Sequence, residues 1–250
     1  MDIKNKKIYI STLGCRVNLF ETNQIQQLIS ANKGINCSDE TKADIAIINT
    51  CCVTTKAMAK SRYFINKLSK CKKIKLIIVC GCYSQYKANE ITNNKVGIII
   101  GTKYKTEIID LIKSYDGTRI IKIDNILKEK KFEISNNTCE QEKTRGIIKI
   151  QDGCNFNCTY CIIPLVRGRQ RSLSNKIIIA DIKNLVANGI KEIVLAGINT
   201  SGYNYEGISF FDLLKQINKL KGNFRVRISS LEPFQVNHAI VDLIASNKIR

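Results

Sequence analysis

Asp44–Ser69 reads DIAIINTCCVTTKAMAKSRYFINKLS, and its pattern decides the fold class. Asp44–Asn49 is a short apolar run of strand type. A turn bearing Cys51 and Cys52 follows, and Thr55–Ser69 then places Met58, Ile65 and Leu68 on one helical face. The unit recurs on both sides. Upstream, strand Lys7–Leu13 leads to a helix near Glu21–Ala31 carrying Ile25, Leu28 and Ile29. Downstream, strands Leu76–Val79 and Val96–Ile100 alternate with helices near Tyr83–Asn89 and Lys105–Ser114. Short, continuously apolar strands alternating with helices predict an α/β fold, here an open parallel sheet covered on both faces.

From Asp124 to Thr144 the pattern gives way to a polar, charged run, DNILKEKKFEISNNTCEQEKT. We therefore expect an N-terminal domain over 1–123, a linker over 124–144 and a second domain over 145–250. That second domain also alternates. Strands are expected at Gly146–Gln151, Glu192–Ala196 and Arg225–Ser229, with helices near Lys176–Ala187, Phe210–Leu220 and Val236–Ser246. Repeated β-then-α units predict a parallel β/α barrel, of which three units are too few for closure.

The chain has 250 residues, a hydrophobic fraction of 44% and a net charge of +19. No apolar run approaches the roughly 18 residues of a membrane span, and the N-terminus lacks a signal-peptide core. The expectation is a cytoplasmic chain with no membrane partner. The positive charge suits a nucleic-acid partner, although a Lys- and Asn-rich composition also produces a solvated basic surface.

Eleven cysteines without an export signal read as reduced thiols rather than disulfides. In Gln151–Ser172, QDGCNFNCTYCIIPLVRGRQRS, Cys154, Cys158 and Cys161 stand in a C-x3-C-x2-C spacing. Three such thiolates can bind three irons of a [4Fe–4S] cube and leave the fourth iron open for chemistry. A second set, Cys15, Cys51 and Cys82, follows three successive strands of the first half. Carboxyl ends of neighbouring parallel strands lie on one edge, so these thiols are expected to converge and to hold another cluster. Compact apolar packing is the alternative for each. Zinc is the rival metal, but a structural zinc usually takes four protein ligands, and the lone histidine, His238, is distant in sequence. Cys52 and Cys80 adjoin these positions, whereas Cys37, Cys71 and Cys139 have no partner at metal-like spacing.

These words resemble the radical S-adenosylmethionine (SAM) methylthiotransferases of the MiaB/RimO type. TLGCRVN (Thr12–Asn18), NTC (Asn49–Cys51) and GCYSQ (Gly81–Gln85) are similar to the cysteine motifs of that family's N-terminal methylthiotransferase domain. QDGCNFNCTYCIIP with RGRQRS is similar to its radical SAM signature, and EIVLAGIN (Glu192–Asn199) and RISSLEP (Arg227–Pro233) to two strand ends of its barrel. TLGCRVN and RISSLEP most resemble the MtaB-like branch, which acts on N6-threonylcarbamoyladenosine beside the tRNA anticodon.

The resemblance implies that Cys154, Cys158 and Cys161 ligate the catalytic cluster, whose open iron takes SAM. Cys15, Cys51 and Cys82 would hold the auxiliary cluster that supplies sulfur. Two [4Fe–4S] clusters, SAM, a reducing electron donor and the tRNA anticodon loop are thus the expected cofactors and partners. Tyr160, Gly197, Asn199, Ser230, Glu232 and Arg171 are the candidates for contact with the cofactor. Arg167, Arg169 and Arg171 could contact phosphate or the cofactor carboxylate, with a solvated basic loop as the alternative for all three. Relatives continue beyond this length, completing the barrel and adding a C-terminal TRAM domain. A truncated radical SAM core is therefore expected, with a separate C-terminal half as a further partner. Methylthiolation of a ribosomal protein and an impaired iron–sulfur or RNA-binding fragment are the alternative functions.

Overall fold

A computed structural model describes residues 1–133, 145–229 and 231–245. They form two compact units, one of Met1–Glu129 with Asn157–Arg167, the other of Lys130–Phe156 with Gly168–Arg250.

The first unit is built on six parallel strands: β1 (Lys7–Thr12), β2 (Ile35–Cys37), β3 (Ile45–Thr50), β4 (Leu76–Gly81), β5 (Val96–Ile100) and β6 (Ile120–Lys122). Their order is β2-β1-β3-β4-β5-β6. All six residues of β3 and all six of β4 are buried, as expected of central strands covered on both faces. Alternation along β3 divides the core. Ile45 and Ile47 pack with Ile8, Ile25, Ile29, Ile78 and Ile112 on one face, while Ala46 and Ile48 pack with Ile65, Leu68, Ile77 and Val79 on the other. Each fully buried Ile contributes about 1.5–3 kcal/mol of transfer free energy.

Helices α1 (Arg16–Ala31) and α2 (Thr55–Ser69) supply opposite layers, with α3 (Cys82–Lys87) and α4 (Ile108–Ser114) completing them. The N-terminus of α2 is fixed locally: Thr54 Oγ1 accepts from Ala57 N–H at 3.0 Å. That of α1 is not. Its N-cap is Cys15, in extended conformation with no side-chain cap, so the helix opens on packing alone at Arg16 rather than at the expected Glu21. Strands β2 and β6 carried no alternation signal, being only three residues long at the sheet edges.

Within the expected linker, Ile126–Lys128 forms a 3-10 turn with Ile126 buried. Residues 134–144 of that linker, including Cys139, lie outside the described residues. The segment Asn157–Arg167 contains α5 (Ile163–Arg167), whose Val166 joins Val79, Cys82 and Tyr83 in the apolar cluster of the first unit. The Val166 carbonyl accepts from Thr102 Oγ1 at 2.7 Å.

In the second unit, β7 (Arg145–Lys149) leads into β8 (Gln151–Asp152), which pairs antiparallel with β9 (Arg171–Ser172). Strand β10 (Glu192–Ala196) lies between β7 and β13 (Arg225–Ile228), parallel to both. A small hairpin of β11 (Asn204–Tyr205) and β12 (Ile208–Ser209) precedes α7 (Phe210–Asn218), which starts on a Ser209/Asp212 capping box. With α6 (Asn175–Ala187), α7 covers the sheet through Ile178, Ile182, Leu213, Leu214 and Ile217, and α8 (His238–Ala245) buries Ile240. Parallel strands alternating with helices give the partial β/α barrel that the pattern called for.

Candidate functional site

At the carboxyl edge of the first sheet, three neighbouring strands each deliver a cysteine. Cys15 follows β1 and caps α1, Cys51 directly follows β3, and Cys82 opens α3 immediately after β4. Cys51 and Cys82 are buried and Cys15 is exposed. A methyl group added to Gly14 would lie 2.8 Å from Cys51 Sγ, so the Cys15 turn abuts Cys51. Burial pushes the Cys51 thiol up, and the nearby Cys82 and Cys15 push the same way, so the three sulfurs share one local field. Among the described residues, no three Cys, His, Asp or Glu side chains are drawn together closely enough to hold a metal ion as they stand.

The donor chemistry fits an iron–sulfur cluster, which takes thiolates. A hydrogen bond from Cys52 and the neighbouring Arg167 and Lys105 cations hold the Cys82 thiol below its ordinary range. Cys52 moves in the opposite direction, as the proton-bearing partner of that pair. Cys80 differs: burial pushes it up to about 12, and it packs among Ile78, Ile98 and Ile100. Cys82 thus favours the thiolate form, whereas Cys80 is a compact core residue.

Beside Cys82 lies a buried polar cluster that the sequence did not reveal. The fully buried guanidinium of Arg167 meets Glu21 Oε1 at 2.7 Å through Nη1, while its Nε donates to Cys82 Sγ at 3.4 Å. Arg167 Nη2 also donates to Asn18 Oδ1, and Lys105 Nζ pairs with Glu21 Oε2. Asn18 Nδ2 donates to Leu13 O at 2.7 Å and Thr50 O at 2.9 Å, tying the ends of β1 and β3 together. Arg167 was a candidate phosphate or cofactor contact; here Glu21 and Cys82 engage it. Only spatial neighbours as far apart in sequence as 21 and 167 could have signalled this.

The C-x3-C-x2-C triplet is divided between the units. Cys158 and Cys161 belong to the first and Cys154 to the second. Cys161 N–H donates to Cys158 O at 3.0 Å, a tight turn with Cys158 exposed and Tyr160 90% exposed. Cys154 is buried; its N–H donates to Gly168 O at 3.1 Å, and its Sγ accepts from Phe156 N–H at 3.5 Å. Cys158 thus stands exposed and Cys161 half-buried on one short loop.

In the second unit, Gly197 and Asn199 follow β10, and both are buried. A Cβ on Gly197 would approach Gln151 Oε1 to 3.0 Å. Gln151, not singled out by sequence, organises this edge: its Oε1 accepts from Ile198 N–H and Asn199 N–H, both at 2.9 Å. Its Nε2 donates to Gly153 O at 2.6 Å, next to Cys154. Arg171 is turned inward, 3.7 Å from Asp152 Oδ2 and donating to Arg169 O at 3.1 Å. Lys149 Nζ pairs with the same carboxylate at 2.6 Å. Glu232 is exposed at the start of a 3-10 turn, Pro233–Gln235. Ser230 lies outside the described residues.

Thiols at the strand ends of a parallel sheet, with a cysteine triplet leading into β/α units, define a two-part radical SAM architecture. Residues 7–101 match the family described as Uncharacterized protein family UPF0004, and residues 148–245 match the Radical SAM superfamily. The chain is 37% identical over 245 residues to a threonylcarbamoyladenosine tRNA methylthiotransferase MtaB of Bacillus subtilis, covering 95% of this chain and 54% of that protein. It is 31% identical to the protein of that name from Aquifex aeolicus, covering 97% and 60% respectively. A tRNA-2-methylthio-N(6)-dimethylallyladenosine synthase of Desulfosudis oleivorans is 30% identical, with 91% and 51% covered. The chain thus spans about half the length of the curated relatives it matches. A solved structure of the radical SAM methyltransferase TsrM from Kitasatospora setae shares the fold, with a TM-score of 0.62 at 11% identity over 98% of this chain and 58% of that one. The chain carries a UPF0004 region followed by a Radical SAM region and is MtaB-like.

Proposed function

We propose that this protein takes part in adding a methylthio group to C2 of N6-threonylcarbamoyladenosine at position 37 of tRNA. The observation that carries the reading is the pairing of two cysteine sets. Cys154, Cys158 and Cys161 have the spacing of a cluster with one open iron, and Cys15, Cys51 and Cys82 end three adjacent strands. When bound, the two clusters and SAM would supply radical activation of the adenine carbon and the sulfur that it receives.

The chain's own residues do the holding. Cys158 and Cys161 present thiols from an exposed turn, while Gln151 fixes the loops bearing Cys154 and Asn199 through its side-chain amide. Asn18 locks the β1 and β3 ends so that Cys15 and Cys51 stay at one edge. The net charge of +19 supports an RNA partner held first by its phosphates. No helix among the described residues is long and apolar enough to cross a membrane. A reducing electron donor completes the set of partners.

Mass spectrometry of tRNA nucleosides from cells with and without the gene tests the reading. Loss of the methylthio form of threonylcarbamoyladenosine supports it. Loss of the methylthio form of dimethylallyladenosine instead would move the substrate to the Desulfosudis type, and no change in either would reject the activity.

A further inference from the structure

Arg167 is among the largest fully buried side chains, and the first unit surrounds it with acceptors. Nη1 meets Glu21 Oε1 at 2.7 Å, Nη2 reaches Glu21 Oε2 at 3.2 Å and Asn18 Oδ1, and Nε points to Cys82 Sγ at 3.4 Å. Burying a guanidinium costs several kcal/mol before any pairing, so packing alone does not explain an arginine here. Glu21 already has a buried cation in Lys105. The fork geometry of Arg places two donors on the carboxylate while leaving Nε for the sulfur, which a lysine cannot reproduce. Arg167 also ends α5, the helix that follows Cys158 and Cys161 and buries Val166 against the cluster containing Cys82.

We propose that Arg167 is a positioning residue of the auxiliary site, holding Cys82 through the Nε–Sγ hydrogen bond and raising the reduction potential of the cluster bound by Cys15, Cys51 and Cys82. The inference rests on the two-cluster reading given above. A donor and a positive charge at a ligand sulfur withdraw electron density from the iron–thiolate bond. Reduction adds a negative charge to the cluster, so that withdrawal stabilises the reduced state and shifts the potential upward. Glu21 plays the part of anchor: it orients the fork and keeps the cluster surroundings from accumulating two uncompensated cations.

The test uses the full chain carrying Cys154→Ala, Cys158→Ala and Cys161→Ala, so that only the auxiliary set can be loaded with iron and sulfide under anaerobic conditions. Arg167→Gln and Arg167→Lys are made in that parent. Iron content, the electron paramagnetic resonance spectrum of the reduced cluster and its midpoint potential are measured. The parent should retain about four irons. Arg167→Gln should lower the reduced-to-oxidised ratio at a fixed potential by tenfold or more, a shift of about 59 mV or more for one electron, with a changed spectrum. Arg167→Lys, keeping the charge but not the fork, should shift in the same direction by less. Unchanged potential and spectrum in both variants overturn the inference. If Arg167→Gln does not fold, Arg167→Lys decides by the same criterion, and failure of both to fold assigns Arg167 to the fold alone and also overturns it. A parent that binds no iron rejects the auxiliary-cluster reading, and the inference falls with it.

Discussion

Replacing Gly81 with Ala should damage the cysteine edge from within. Gly81 ends β4 directly before Cys82 and has φ +101° and ψ −159°, a region that only glycine occupies at low cost. An added Cβ would lie 2.5 Å from Thr50 O, 2.7 Å from Asn49 Oδ1 and 2.8 Å from Thr50 N. Two of these three atoms are backbone of β3, a fully buried central strand paired with β4 at this register, so they cannot move aside. The backbone conformation costs about 1–3 kcal/mol, and the forced overlap about 1–3 kcal/mol more. Gly117→Ala is the control, because Gly117 has φ +109° and nothing within 4 Å of its Cβ direction. It should show the backbone cost alone. Hydrogen–deuterium exchange of peptides from β3 and β4 reports the local opening free energy. Relative to Gly117→Ala, Gly81→Ala should expose those amides about 30-fold more often, equivalent to about 2 kcal/mol at 1.4 kcal/mol per tenfold. Equal protection in the two variants would refute the claim that close approach to β3 fixes the Cys82 turn.

Glu21→Gln removes the carboxylate shared by the buried Arg167 and Lys105 cations and should destabilise the first unit by about 3–5 kcal/mol. Urea unfolding checks this, and a loss under about 1 kcal/mol would contradict it. Burial on α6 raises the Asp181 carboxyl above its ordinary range, so the folded state favours the protonated form. The resulting penalty is absent below the unfolded aspartate pKa of about 4 and grows as pH rises through the folded value. Asp181→Asn should therefore raise the melting temperature at pH 7 and leave it unchanged near pH 3; a gain confined to acid pH would reverse the sign. Cys158→Ala should abolish SAM cleavage and lower the loaded chain from about eight irons to about four. Loss of all iron would argue against independent cluster sites.

The regular elements were legible where one local rule acted alone. Val96–Ile100 is a continuous apolar run and Glu192–Ala196 is one after its opening glutamate, and both strands have those bounds. Helix α2 has a Thr cap at one end and an apolar face throughout, and it spans the residues that the pattern gave. The placement of Cys15, Cys51 and Cys82 after successive strands could also be read, because parallel topology sends every carboxyl end to one edge. Long-range pairing escaped. Arg167 looked like one charge in a basic loop, yet its partners Asn18 and Glu21 lie almost 150 residues earlier. Gln151 escaped for a related reason: an amide inside an apolar strand pattern gives no sign of the loops it will join.

The excursion of Asn157–Arg167 into the first unit has a consequence for modularity. The chain passes between its units three times, at Glu129/Lys130, Phe156/Asn157 and Arg167/Gly168. A single break in the polar stretch after Glu129 would therefore not release a self-sufficient first half. The fragment Met1–Glu129 would keep Cys15, Cys51 and Cys82 but forfeit the helix that plugs their apolar floor with Val166 and neutralises Glu21 with Arg167. The two halves are interleaved in sequence, so the unit bearing Cys15, Cys51 and Cys82 cannot be inherited, swapped or expressed whole without the segment that carries Cys158 and Cys161.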